Sequence, residues 1–109
     1  MFEFDPQAVS WFNQEVKASP IPVLVDFWAP GCEPCRVMKP VIDEIKVQFD
    51  GRLKIIRVNV EENFSVPMHY NVNGFPTLLL FKSGIVAEQI SGTVSAKTLS
   101  KALNKYLAE

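Results

Sequence analysis

Apolar positions change their period several times along the chain, and each change marks an element. Residues 23–28, Val-Leu-Val-Asp-Phe-Trp, are an almost unbroken apolar run with one acid inside it. That is the pattern of a central strand covered on both faces. Further on, Val37, Met38, Val41, Ile42, Ile45 and Phe49 recur at helical spacing and predict an amphipathic helix over residues 34–49. Pro40 lies inside it, removes one backbone hydrogen bond and is expected to kink it. Asp50-Gly51 closes the helix, and residues 53–60, Leu-Lys-Ile-Ile-Arg-Val-Asn-Val, read as the next strand. Strand, helix and strand over residues 23–60 make a βαβ unit, whose right-handed crossover sets its two strands parallel.

The flanking segments complete the pattern. Phe2-Glu3-Phe4 alternates and predicts a short edge strand, after which Asp5 offers an N-cap oxygen and Pro6 suits a first helical position. Val9, Phe12 and Val16 give a helix over residues 6–17, which Ser19-Pro20-Ile21-Pro22 breaks. Residues 61–70 are polar with Pro67 among them and read as a short, irregular helix. Residues 75–81 and 85–90 read as strands joined by Lys82-Ser83-Gly84, an antiparallel hairpin that Gly92 ends. Ser95 then caps a final helix with Leu99, Ala102, Leu103, Tyr106 and Leu107 on one face. The order β-α-β-α-β-α-β-β-α predicts an α/β fold. It has one domain over residues 1–109, built on a mixed sheet of about five strands with helices on both faces. Trp11, Phe12 and Phe81 are expected in the core and His69 at the surface.

Composition narrows the function classes. A chain of 109 residues, 48% hydrophobic, can bury a core without metal or disulfide staples. A net charge of −1 gives no electrostatic reason to expect nucleic acid or an acidic membrane surface. No apolar run approaches the roughly 18 residues that span a bilayer. The N-terminus lacks a basic region followed by an apolar core, so the expectation is no signal peptide and a reducing, cytoplasmic setting. A mature form from which a transit peptide has been removed, as in an organelle stroma, fits the same sequence. No phosphate-binding loop or nucleotide fingerprint is present, so no bound cofactor is expected, and nothing asks for more than a monomer.

Candidate chemistry concentrates where the strand hands over to the helix, in Trp28-Ala29-Pro30-Gly31-Cys32-Glu33-Pro34-Cys35. Both cysteines of the chain lie here, two residues apart. Free backbone N–H groups and the positive end of the helix dipole favour a thiolate there, and a thiolate is a nucleophile for disulfides. A structural disulfide is a weaker explanation. So short a loop stabilises by only roughly 2 kcal/mol, against roughly 4.7 for a 100-residue loop. Zinc needs about four ligands, and the chain offers two cysteines and His69 at the wrong spacing. Cys32, first at the helix, is expected to be the nucleophile, and Cys35, one turn inward, the resolving thiol. Burial should raise the pKa of Asp26, while Arg57, permanently charged, opposes that if the two are close. Trp28 reads both as a core aromatic and as a wall of the site.

The chain resembles the thioredoxin family along nearly its whole length. The resemblance is carried by Val-Asp-Phe-Trp-Ala-Pro before the cysteines, Pro34 between them, Asn59, Gly-Phe-Pro-Thr at residues 74–77, and Gly92. It implies dithiol–disulfide exchange, without a bound cofactor, on disulfides of partner proteins, with re-reduction by a thioredoxin reductase. It assigns Asp26 to accepting the proton of Cys35, and holds Pro76 cis and facing the cysteines. Gly74, Phe75, Pro76 and Gly92 become the docking surface, with Phe75 also readable as partly exposed packing.

Three residues depart from the family. Gly31 stands where Trp is usual, Glu33 where Gly is usual, and Arg57 where Lys is common. A carboxylate ~7 Å from the Cys32 thiolate, at an effective dielectric of ~40, costs about 1 kcal/mol. That would move the potential more negative by on the order of 20–30 mV. This argues against an oxidase or isomerase, the nearest rivals among enzymes. Gly31 removes an apolar docking surface, predicting a narrower set of partners, and leaves a redox-gated binding module with little turnover as the rival from another class.

Overall fold

The computed structural model describes residues 6–107. The sheet is organised on β1 (Val23–Trp28), whose residues from Val23 to Phe27 are all buried. β2 (Lys54–Asn59) runs parallel to it on one side, and β3 (Thr77–Lys82) antiparallel on the other. β4 (Ile85–Ser91) pairs antiparallel with β3, giving the order β2-β1-β3-β4. Four strands therefore form the mixed sheet among the described residues, against about five expected. The edge strand expected at Phe2-Glu3-Phe4, and the Asp5 cap, lie outside them.

Alternation along β1 divides the core in two. Val23, Val25 and Phe27 pack with Leu79 and Phe81 under α1 (Pro6–Phe12) and α3 (Ser65–His69), which contribute Phe12 and Val66. Leu24 packs with Leu78 and Leu80 on the opposite face. There α2 (Glu33–Gln48) contributes Met38, Ile42 and Ile45, and α4 (Ala96–Leu107) contributes Leu99 and Leu103. Asp26 follows Leu24 in the same parity, which puts it on the face that α2 covers. The Ser95 hydroxyl accepts from the Thr98 N–H at 3.1 Å and caps α4 as the sequence predicts.

Several local expectations change. The first helix is not uniform: α1 passes into a π-helical turn over Asn13–Lys17, where the Ala18 N–H donates to the Asn13 carbonyl at 2.9 Å. Trp11 is 39% exposed, not core, because it precedes the inward-facing Phe12 by one residue, a rotation of about 100° on a helix. Val37 is displaced from the α2 core stripe in the same way, beside buried Met38, and is 55% exposed. α2 continues through Pro40. The hairpin closes on Ser83 and Gly84, with φ of 55° and 79°, the pair of positive values that a two-residue type I′ turn requires. A Cβ on Gly84 would meet the Lys17 carbonyl oxygen at 3.1 Å, so this turn packs on the end of the π-helical segment.

Candidate active site

The end of β1 and the start of α2 are joined by a tight turn. The Cys32 N–H donates to the Ala29 carbonyl at 3.2 Å, with Pro30 and then Gly31, at φ +78°, at its corner. Proline followed by a residue at positive φ is the signature of a type II turn, so Gly31 meets a backbone requirement here. Cys32 is then the N-cap of α2, its Sγ accepting from the Cys35 N–H at 3.2 Å. Pro34, early in the first turn, has no N–H to satisfy, which suits that position. Cys32 and Cys35 are joined as a disulfide with their Cα atoms 5.3 Å apart. Cys32 is half-buried, whereas Cys35 is 3% exposed.

A second wall comes from the loop before β3. The Phe75–Pro76 peptide is cis. The Thr77 hydroxyl donates to the Gly74 carbonyl at 2.6 Å, and the Gly92 N–H donates to the Pro76 carbonyl at 2.9 Å, fixing loop and strand end together. The Phe75 carbonyl oxygen lies 3.8 Å from Cys32 Sγ. One cleft holds the disulfide, and a second includes Phe75, whose carbonyl approaches it. The first, of about 170 Å³, is lined by Trp28, Gly31, both cysteines and Arg57 among others. The other, of about 460 Å³, is lined by Gly74, Phe75, Pro76 and Gly92 with the polar rim of Asn71, Asn73, Gln89 and Ser91.

Asp26, inside β1, is 1% exposed. Arg57, its register partner on β2, donates from Nε to Asp26 Oδ2 at 2.9 Å, while Oδ1 is buried and accepts no hydrogen bond among the described residues. Burial pushes the Asp26 carboxyl above its usual range, and the hydrogen bond and charge of Arg57 pull it back only in part. The guanidinium of Arg57 also lies over the Trp28 ring, 4.9 Å from its centroid.

The whole chain outside its ends is similar to known proteins: the family model described as Thioredoxin matches residues 4–105. The chain belongs to the thioredoxin family. It is 48% identical to "Thioredoxin 1" of Nostoc sp. over 98 residues, covering 90% of this chain and 92% of that one. It is also 48% identical to "Thioredoxin 1" of Synechococcus elongatus over 96 residues, covering 88% and 90%. To "Thioredoxin M-type, chloroplastic" of Chlamydomonas reinhardtii it is 42% identical, covering 88% of this chain and 69% of the relative. This chain is a dithiol–disulfide oxidoreductase, a protein-disulfide reductase.

Glu33 is not an isolated carboxylate. Its two carboxylate oxygens accept from Arg36 Nη2 at 2.9 and 2.8 Å, both side chains being exposed. The isolated-carboxylate penalty expected for Cys32 is therefore offset by a cation one helical turn along, and the pair acts on the sulfur as a dipole. Arg36 carries a helical i,i+3 signal from Glu33 that sequence reasoning passed over. Lys39, on the same cleft as the cysteines, and the Asn–Gln–Ser rim carry no signal of their own, because only the folded loops bring them to the site. Among the described residues no helix is long and apolar enough to cross a membrane, and no three His, Cys, Asp or Glu residues are grouped to hold a metal.

Proposed function

We propose that Cys32 is the attacking thiol and Cys35 the resolving one, with Asp26 as the proton acceptor. The observation that carries this is the difference in exposure across the pair: Cys32 is open to a partner at the cap of α2, and Cys35 is not. The Cys32 thiolate attacks one sulfur of a target disulfide. The target's S–S bond breaks, its other sulfur leaves as a thiolate, and a mixed disulfide forms on Cys32. Cys35 then gives its proton to Asp26 and attacks Cys32 Sγ. The Cys32–Cys35 bond forms, the mixed disulfide breaks, and the target departs with two more electrons than it brought. The raised pKa of Asp26 and its place on the face covered by α2 support its role. Trp28, Gly31, Glu33, Pro34 and Arg57 shape one side of the docking site, and Gly74, Phe75, Pro76 and Gly92 the other.

The chain acts as one domain and a monomer in a reducing, cytosol-like compartment. An external donor of the thioredoxin reductase type returns the oxidised pair to the dithiol. Trapping tests the assignment. Cys35→Ser should accumulate a mixed disulfide with a disulfide substrate, and Cys32→Ser should not; equal trapping by both would overturn the order of the two thiols.

A further inference from the structure

The smaller cleft beside the disulfide has a charge pattern that disulfide exchange does not itself require. Its wall holds Arg36, Lys39 and Arg57 together with Cys32 and Trp28, and no carboxylate among the described residues. The acids that pair with two of these cations, Glu33 with Arg36 and Asp43 with Lys39, are exposed and lie outside the lining. Arg57 is held from two sides: Nε is spent on Asp26, and the guanidinium lies against Trp28. Its terminal nitrogens make no hydrogen bond among the described residues, and a guanidinium fixed in this way is pre-organised for a carboxylate. Gly31 is part of the wall, and nothing lies within 4 Å of where its Cβ would be, so this side of the cleft carries no side chain. At about 170 Å³ the cleft has room for one side chain and not for a large ligand.

We propose that this cleft is a carboxylate subsite, which takes an aspartate or glutamate side chain flanking the attacked cysteine of the target protein. The inference rests on Cys32 being the attacking thiol, since that places the subsite next to the scissile disulfide. Gly31 is then a specificity-determining position. Glycine adds no side chain to the wall it shares with Arg57 and Lys39, which leaves a charged side chain of the target free to approach them. A bound carboxylate also competes with Asp26 for the positive charge of Arg57. It thereby favours protonation of Asp26 at the stage when Cys35 must lose its proton.

The test compares two disulfide peptides that differ only in Glu or Gln beside the attacked cysteine. At low ionic strength the reduced wild type should favour the Glu peptide in kcat/KM by about fivefold, the ratio falling toward one near ~1 M salt. Lys39→Gln should lower the ratio, and Lys39→Glu should reverse the preference. A wild-type ratio of one at low salt overturns the subsite. Analogues with serine for both cysteines separate binding from chemistry. By NMR the Glu analogue should shift the Arg57 Nε–H signal at lower concentration than the Gln analogue, and equal titrations would count against the subsite. If the trapping experiment overturns Cys32 as the attacking thiol, the serine analogues still decide the subsite.

Discussion

Asp26 and Arg57 face each other across the β1–β2 ladder, joined from Nε to Oδ2 at 2.9 Å, yet the carboxyl pKa is raised. Desolvation outweighs the ion pair because only one partner is fully buried: the Arg57 side chain remains 31% exposed and that of Asp26 2%. The result is an acid that holds its proton more readily than a surface carboxylate while keeping a fixed neighbour.

This arrangement has a cost in stability with a defined sign. With its folded pKa above the unfolded value, Asp26 binds more protons in the native state, so its contribution becomes unfavourable as pH rises through that interval. Asp26→Asn should therefore stabilise the oxidised protein at pH 8, by on the order of 1–3 kcal/mol. The gain should disappear as pH falls below the ordinary carboxylate range. Urea unfolding of both proteins at pH 8 and pH 3.5 checks this; a variant less stable than wild type at pH 8 would contradict it.

The Glu33–Arg36 pair makes opposite predictions for its two halves. Glu33→Gln leaves Arg36 uncompensated near the Cys32 thiolate, stabilises the reduced form and should raise the potential by on the order of 10–20 mV. Arg36→Gln should lower it by a similar amount, and the double variant should return close to wild type. Equilibration with a reference dithiol reads all four proteins.

Gly31 and Gly84 separate backbone strain from crowding. Both have φ near +80°, but a Cβ meets nothing at Gly31 and the Lys17 carbonyl oxygen at Gly84. Gly31→Ala should cost about 1 kcal/mol from its dihedral alone, and Gly84→Ala should cost more, about 2 kcal/mol. Equal losses in thermal unfolding would show that the hairpin turn gives way without resistance. The same dihedral means that Gly31→Trp must first reshape the turn between Ala29 and Cys32.

Much of this molecule is legible in its sequence, for physical reasons that can be named. The run 23–28 has no polar face, which is consistent with a strand covered on both sides, and a glycine-bearing connection marks the hairpin. The cysteines announce themselves through their place at a helix start. What stayed hidden depends on rotation and tertiary contact. Trp11 and Val37 each lie one residue from a buried neighbour and fall just off the core stripe. The π-helical turn over Asn13–Lys17 leaves the spacing of Val9, Phe12 and Val16 intact, so periodicity does not reveal it. Arg36 screening Glu33, and three cations sharing one cleft, emerge only when the β1–α2 turn and β2 come together.

The equilibrium reduction potential of the Cys32–Cys35 pair tests the central claim most directly. A protein built to reduce disulfides should equilibrate near the range typical of thioredoxins, about −270 mV. A value between about −180 and −120 mV, where isomerases and oxidants lie, would contradict the direction of electron flow argued for this chain.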